Sequence, residues 1–234
     1  MDSGVGPESS TRETKRMRQF MVGLQQNGLA GTREYAVLFR YLSLVSMFVI
    51  LIGCAKQKGT EYFPETSASS RYEYSLEYQT PLGGVQKASV TTRVDGQEAI
   101  RGQQYHKLVS TFFGVPGLDQ RVVFERWTAT GVYAVDGDHK DSAEYLDTPF
   151  PVSIGSTWTS RAPDHTDTYK VLGVETVETP HETFKDCLKL SANGTGTNGS
   201  SEGTEYLAPN IGLVKLVTVA SGVRMTLTLE KYKK

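Results

Sequence analysis

The chain has 234 residues and carries 25 Lys plus Arg against 26 Asp plus Glu, a formal net charge of -1. That balance lacks the basic footprint of a nucleic-acid binder and gives no reason to expect a large patch for anionic membranes. Two cysteines and four histidines leave little material for a disulfide framework or a histidine-rich metal centre.

From the start, residues 1–32 are polar and rich in Gly, Ser and Pro, with a basic knot at Arg12, Lys15, Arg16 and Arg18. They show no sustained periodicity, so they are read as an extended leader, or as lying ahead of a translation start at Met17 or Met21. Next comes a run without charge from Tyr41 to Cys54, within the uncharged segment between Arg40 and Lys56, with Leu42, Leu44, Val45, Met47, Phe48, Val49, Ile50, Leu51 and Ile52 as its apolar body. At about 15 residues and ~1.5 Å per residue, a helix of this run falls short of the ~30 Å hydrocarbon core of a bilayer. Its composition and its positive flank at Arg33 and Arg40 are those of a secretory signal helix.

The run ends in Leu51-Ile52-Gly53-Cys54, which resembles the lipobox of a bacterial lipoprotein signal peptide. The resemblance implies lipid addition at the Cys54 sulfur, recognition of Leu51, Ile52 and Gly53 by the signal peptidase, and loss of residues 1–53. Acyl chains contribute ~0.8 kcal/mol per buried methylene, so two or three of them anchor a protein durably. Ala55 follows the cysteine, and the absence of aspartate there implies the outer membrane, facing the periplasm, in a cell that has one. Residues 54–70 then read as a lipidated tether and 71–234 as the folded domain.

From Arg71 the apolar period becomes two. Arg71-Tyr72-Glu73-Tyr74-Ser75-Leu76-Glu77-Tyr78 places three tyrosines and a leucine on one face, and Val223, Met225, Leu227 and Leu229 do the same near the C-terminus. Similar runs rich in Val, Thr, Tyr and Phe lie at 87–94, 105–112, 120–128, 132–135, 168–177, 184–191, 204–207 and 212–220. Turn pairs fall at Asp95-Gly96, Thr130-Gly131, Asp136-Gly137, Thr179-Pro180 and Ser221-Gly222, while 193–203 reads as a Gly/Ser/Thr-rich mobile hairpin loop. The expectation is an all-β domain: one antiparallel sheet of roughly ten strands curled into a half-open barrel, with a β-sandwich as the alternative.

Three further stretches carry a second resemblance: Glu61-Tyr62-Phe63-Pro64, residues 149–158 ending in Trp158, and Tyr206-Leu207-Ala208-Pro209-Asn210-Ile211-Gly212-Leu213-Val214-Lys215. In order and spacing they resemble a broad group of uncharacterised bacterial envelope lipoproteins, and more distantly the half-barrel carriers that move lipoproteins across the periplasm. That group implies structural roles for Gly155, Trp158, Pro209 and Gly212 and brings no catalytic residues.

Little chemistry is visible along the chain. His106, His139, His165 and His181 are scattered, with no second histidine at ligand spacing. Asp136-Gly137-Asp138-His139-Lys140-Asp141 begins like a calcium loop, but Lys140 stands where an oxygen ligand belongs, so it reads as a solvated acidic turn. Asp164-His165-Thr166-Asp167 lacks an accompanying serine nucleophile and reads as a polar loop. Cys187, alternating with polar neighbours, reads as a buried small hydrophobe. The functional expectation is therefore a non-catalytic, membrane-anchored module without cofactor or metal and without a nucleic-acid partner. Either its concave face, lined by Tyr72, Tyr74, Tyr78, Phe124 and Trp127, binds an apolar ligand or lipid, or its edges and loops assemble with another envelope protein.

Overall fold

A computed structural model describes residues 59–63, 69–79, 84–196 and 199–233. The leader, the apolar run and Cys54 lie outside the described residues. Among the described residues there are twelve strands: β1 (Arg71–Gln79), β2 (Val85–Ile100), β3 (Gln103–Phe113), β4 (Gln120–Thr128), β5 (Gly131–Asp136), β6 (Tyr145–Pro149), β7 (Thr157–Arg161), β8 (His165–Glu178), β9 (Thr183–Gly196), β10 (Gly199–Ala208), β11 (Gly212–Ala220) and β12 (Val223–Lys233). Among the described residues helical structure is confined to two short 3-10 turns, Thr60–Tyr62 and Gly137–His139. No helix among the described residues is long and apolar enough to cross a membrane.

All twelve strands form one antiparallel sheet in the order β6-β5-β4-β3-β2-β1-β12-β11-β10-β9-β8-β7. Apart from β6 and β7, each strand pairs with its sequence neighbours, and β1 also pairs with β12, so the sheet is an up-and-down meander wound nearly into a barrel. Its break lies between β6 and β7. Because neighbours run antiparallel, alternate hairpins fall at opposite ends. Connections 114–119, 137–144, 162–164 and 221–222 mark one end, the loop end. Connections 101–102, 129–130, 150–156, 179–182 and 209–211 mark the other, the tether end.

The alternation read from the sequence sets the inner face. Tyr72, Tyr74, Leu76 and Tyr78 on β1 lie in register with inward positions of β12, with Leu76 opposite Leu227 and Tyr78 opposite Met225. They join Val90, Phe112, Tyr169, Leu190, Leu216 and Leu229 in one contiguous buried core. A smaller cluster of Ile100, Tyr105, Phe124 and Val135 lies apart from it.

The structure corrects three expectations. Asp95-Gly96 is no turn: β2 runs through it to Ile100 with an irregularity between Val94 and Gln97, and Gly96 takes a φ of 86° there. The reversal comes at Arg101 and Gly102, both at positive φ. The Gly/Ser/Thr-rich stretch 193–203 is mostly ladder, since β9 continues to Gly196 and β10 resumes at Gly199, with Glu202 opposite Asn193. Backbone pairing across two long neighbours overrides the low strand propensity of its glycines. The sheet also holds β6, which the sequence reading left unassigned because five residues ending in a proline show too little alternation to recognise.

The segment entering the barrel is itself docked. Phe63 packs edge-on against Phe150 with centroids 5.2 Å apart, and the Asn210 backbone N–H donates to the Glu61 carbonyl. Gly59 takes a φ of +92° against the backbone of Val152, where an added Cβ would lie 2.1 Å from the carbonyl oxygen. These contacts pin residues 59–63 to the tether end.

Candidate functional site

The inner face is not uniformly apolar. On β4, period two turns Arg121, Val123, Glu125 and Trp127 the same way, with Val123 opposite Asp136 and Glu125 opposite Ala134 of β5. On β8 the equivalent positions are Asp167 and Tyr169, and on β10 Glu205 stands between Leu190 and Leu216 in the register. Asp147 falls at the β5–β6 irregularity, where Val132 pairs with Thr148 and Tyr133 with Leu146. Five strands thus bring carboxyl groups into one interior.

Exposure falls along this acidic column from the loop end inward. The side chains of Asp164 and His165 are 22% and 16% exposed, those of Asp167 and Asp136 8% and 7%. Glu125 and Glu205 are each 1% exposed. At the mouth the charges are partnered: Arg121 Nη2 donates to Asp136 Oδ1 at 2.8 Å, and Tyr145 OH to the same oxygen at 3.5 Å. His165 lies between two carboxylates, with Nδ1 2.6 Å from Asp164 and Nε2 3.3 Å from Asp167. Deeper in, partners give out. Glu125 Oε2, Glu205 Oε1 and Trp127 Nε1 are buried without a hydrogen-bond partner among the described residues.

Burial opposes charge on the carboxyl groups. Burial, reinforced by the charge of Asp147, pushes the carboxyl of Glu125 well above the usual range. Burial with Asp147 and Asp167 does the same to Glu205. Asp147 itself rises to about 7, first through burial and then through Asp167 and Asp136, although Thr148 Oγ1 donates to it at 3.1 Å. Asp167 rises by burial against the opposing pull of His165 and Arg121. A carboxyl withdrawn from water stays neutral until something compensates its charge.

Aromatic groups wall the column. Trp158 and Tyr169 stack with centroids 5.1 Å apart and planes at 19°, and Tyr169 lies within the field of Asp147, Asp167 and Glu205. Trp158 Nε1 donates to the Asp147 carbonyl at 2.8 Å.

The residues anticipated as an apolar lining are divided. Tyr72, Tyr74 and Tyr78 are on the inner face at 2%, 3% and 4% exposure, inside the contiguous core, with Tyr74 OH donating to the Leu213 carbonyl at 3.3 Å. Trp127 shares their face and packs partly buried against that core. Phe124 does not: as the residue next to Glu125 it points to the opposite face, into the separate cluster with Ile100, Tyr105 and Val135, under the Lys140 ammonium 5.0 Å from its ring. Cys54, Leu51, Ile52 and Gly53 lie outside the described residues.

Two stretches read as solvated polar segments are built into the site. Asp136 closes β5 as a buried partner of Arg121, whereas Asp138 and Lys140 are exposed. His165 opens β8, and Asp167 is buried. Asp136, Asp164 and His165 bring one donor atom each within 4.8 Å of one another, but Arg121 and Asp167 already engage two of the three. The deepest acids, Glu125 and Glu205, and the inward placement of Asp147 went unnoticed in the sequence. Their one signal is a carboxylate at an inward position of an alternating strand, as in Val123-Phe124-Glu125-Arg126-Trp127.

No protein-family model and no curated protein matches the chain. Among solved structures it is similar to a protein of Bacteroides fragilis provisionally described as exported and as having a YmcC-like fold, at 17% identity over 77% of this chain and 100% of that one, with a TM-score of 0.48. A second is a protein of Parabacteroides distasonis provisionally described as a lipoprotein, at 14% identity over 76% and 100%, with a TM-score of 0.47. Likeness at this level carries no conclusion about what the chain does.

Proposed function

We propose that the protein is an envelope lipoprotein anchored through Cys54, and that its barrel is a non-catalytic binding module held with one end close to a bilayer. The observation that carries this reading is the docked entry segment. Residues 55–58 alone separate Cys54 from Gly59, and Gly59 is fixed against Val152. Five residue steps of ~3.3–3.6 Å span at most roughly 18 Å. A lipid on Cys54 would therefore hold the tether end near the headgroups and turn the loop end, with its acidic mouth, away from them. Ile154, 65% exposed on a tether-end connection, would face the membrane.

Membership of the outer membrane and the absence of catalysis belong to the same proposal. Tyr72, Tyr74 and Tyr78 are packed among other core side chains, which weighs against lipid as the ligand of that part of the inner face. Cell fractionation of the Cys54→Ser variant, with intact-mass analysis of the parent, tests the anchor. The expected result is a soluble variant and a parent that begins at an acylated Cys54. An unmodified cysteine still joined to residues 1–53 would overturn it.

A further inference from the structure

The interior acids are out of proportion to anything that balances them. Asp136, Asp147, Asp164, Asp167, Glu125 and Glu205 share one enclosed column with Arg121 and His165, and the register also sets His106 of β3 opposite Glu125. Arg121 and His165 sit at the mouth, on Asp136 and on Asp164 and Asp167. Among the described residues the deep end has only His106, whose Nε2 is engaged by the Gln97 amide at 3.1 Å, while Glu125 Oε2 and Glu205 Oε1 are buried and unpartnered. An oxygen in that position costs about 1–3 kcal/mol unless it is satisfied, and a fold meets that cost more readily where a ligand relieves it.

We propose that this column is a binding site for an organic ammonium group, which enters from the loop end and is held by Glu125, Asp147 and Glu205. The inference concerns the interior only and does not depend on the lipid anchor. Two features favour an ammonium over a bare metal ion. Glu125, Asp147 and Glu205 are not among the donor sets that converge within 4.8 Å, so they do not chelate; separated carboxylates suit a group that donates several hydrogen bonds outward. The walls are also aromatic. Trp158 and Tyr169 stack beside Asp147, and Trp127 shares the face of Glu125, an environment in which a cation is stabilised by ring faces as well as by charge.

Binding is proton-linked, and the direction follows from the acids. Burial and neighbouring carboxylates push the titration of these groups upward, to about 7 for Asp147, so the bound ammonium draws off the protons they hold. An alkylammonium keeps its own proton to roughly pH 10, so affinity rises with pH from 6 to 8.5.

The protein has two tryptophans, Trp127 and Trp158, and both border the column, so intrinsic fluorescence reports on it directly. The full chain in detergent is titrated with n-butylammonium chloride at pH 6 and pH 8.5, with n-butanol and calcium chloride as separate titrants. A saturable change with n-butylammonium, at least tenfold tighter at pH 8.5 and weakened at least tenfold in Glu125→Gln/Glu205→Gln, is expected. No saturable change, an equal response to n-butanol, saturation by calcium alone, or affinity independent of pH would each overturn the site. The pH comparison uses the parent protein, so it remains decisive where the double variant does not fold. Membrane attachment has no bearing on this readout, so its failure is separate from failure of the anchor.

Discussion

The indole Nε1 of Trp158 donates to the backbone carbonyl of Asp147 across 2.8 Å, and that bond bridges the break in the strand order, from β7 to β6. The two residues are eleven apart in sequence. Their contact brings the first half of the meander against the second, and it sets the backbone from which the Asp147 carboxyl reaches the interior.

Trp158→Phe retains most of the apolar ring but leaves that carbonyl without its donor. It should cost about 1–2 kcal/mol, and Trp158→Ala about 3–5 kcal/mol because the stack with Tyr169 is lost as well. Hydrogen exchange should show β6 and β7 opening before the β1–β12 ladder. Uniform protection across the sheet would contradict this account of the seam.

The raised carboxyls make stability fall as pH rises. Between roughly pH 4 and 7, the folded state holds protons on Glu125, Glu205 and Asp147 that the unfolded chain releases, so ν_U − ν_N is negative. Their contribution is fully present below about pH 4 and is lost progressively as pH rises through the folded-state value, about 7 for Asp147. Asp147→Asn should therefore stabilise the protein by about 1–2 kcal/mol at pH 8 and by much less at pH 5. Thermal unfolding at the two pH values reads the difference, and an equal effect at both would refute it.

Arg121 meets Asp136 with side chains 17% and 7% exposed. Arg121→Met leaves a buried carboxylate unpaired and should cost about 3–5 kcal/mol, whereas Arg121→Met with Asp136→Leu should recover most of that loss. Denaturant unfolding of the single and double variants supplies the comparison.

At Gly59 an alanine meets the Val152 carbonyl and must also hold a φ of +92°, a local cost of about 1–3 kcal/mol. Gly59→Ala should free residues 59–63 from the tether end while leaving the barrel's melting temperature nearly unchanged. Limited proteolysis should then cut near Phe63 faster than in the parent.

Cys187 is fully buried, its Sγ donates to the Phe184 carbonyl at 3.5 Å, and burial pushes its thiol up to about 11. The folded protein should resist alkylation at this residue at pH 8, and the unfolded protein should react within minutes, as read by mass spectrometry.

Much of the fold is legible in the chain because side-chain direction in a strand depends only on parity. Tyr72, Tyr74, Leu76 and Tyr78 announce their face without reference to any other strand. Parity fails where a bulge resets it or a strand is too short to display it. Gly96 therefore looked like a turn and β6 went unread. Phe124 was assigned to the lining by its aromatic character, although the parity of Glu125 and Trp127 places it on the other face.

By itself, then, the sequence determined the apolar run that ends at Cys54, the β class and the inward tyrosines, all of which are properties of residues near one another in the chain. Only the tertiary structure decided that Glu125, Asp147, Asp167 and Glu205 share one interior, and that residues 59–63 dock on the tether end. Parity tells which way a side chain faces but not what it faces. Closing a twelve-stranded meander brings together positions as far apart in the chain as Arg71 and Lys233, and no local pattern records that distance.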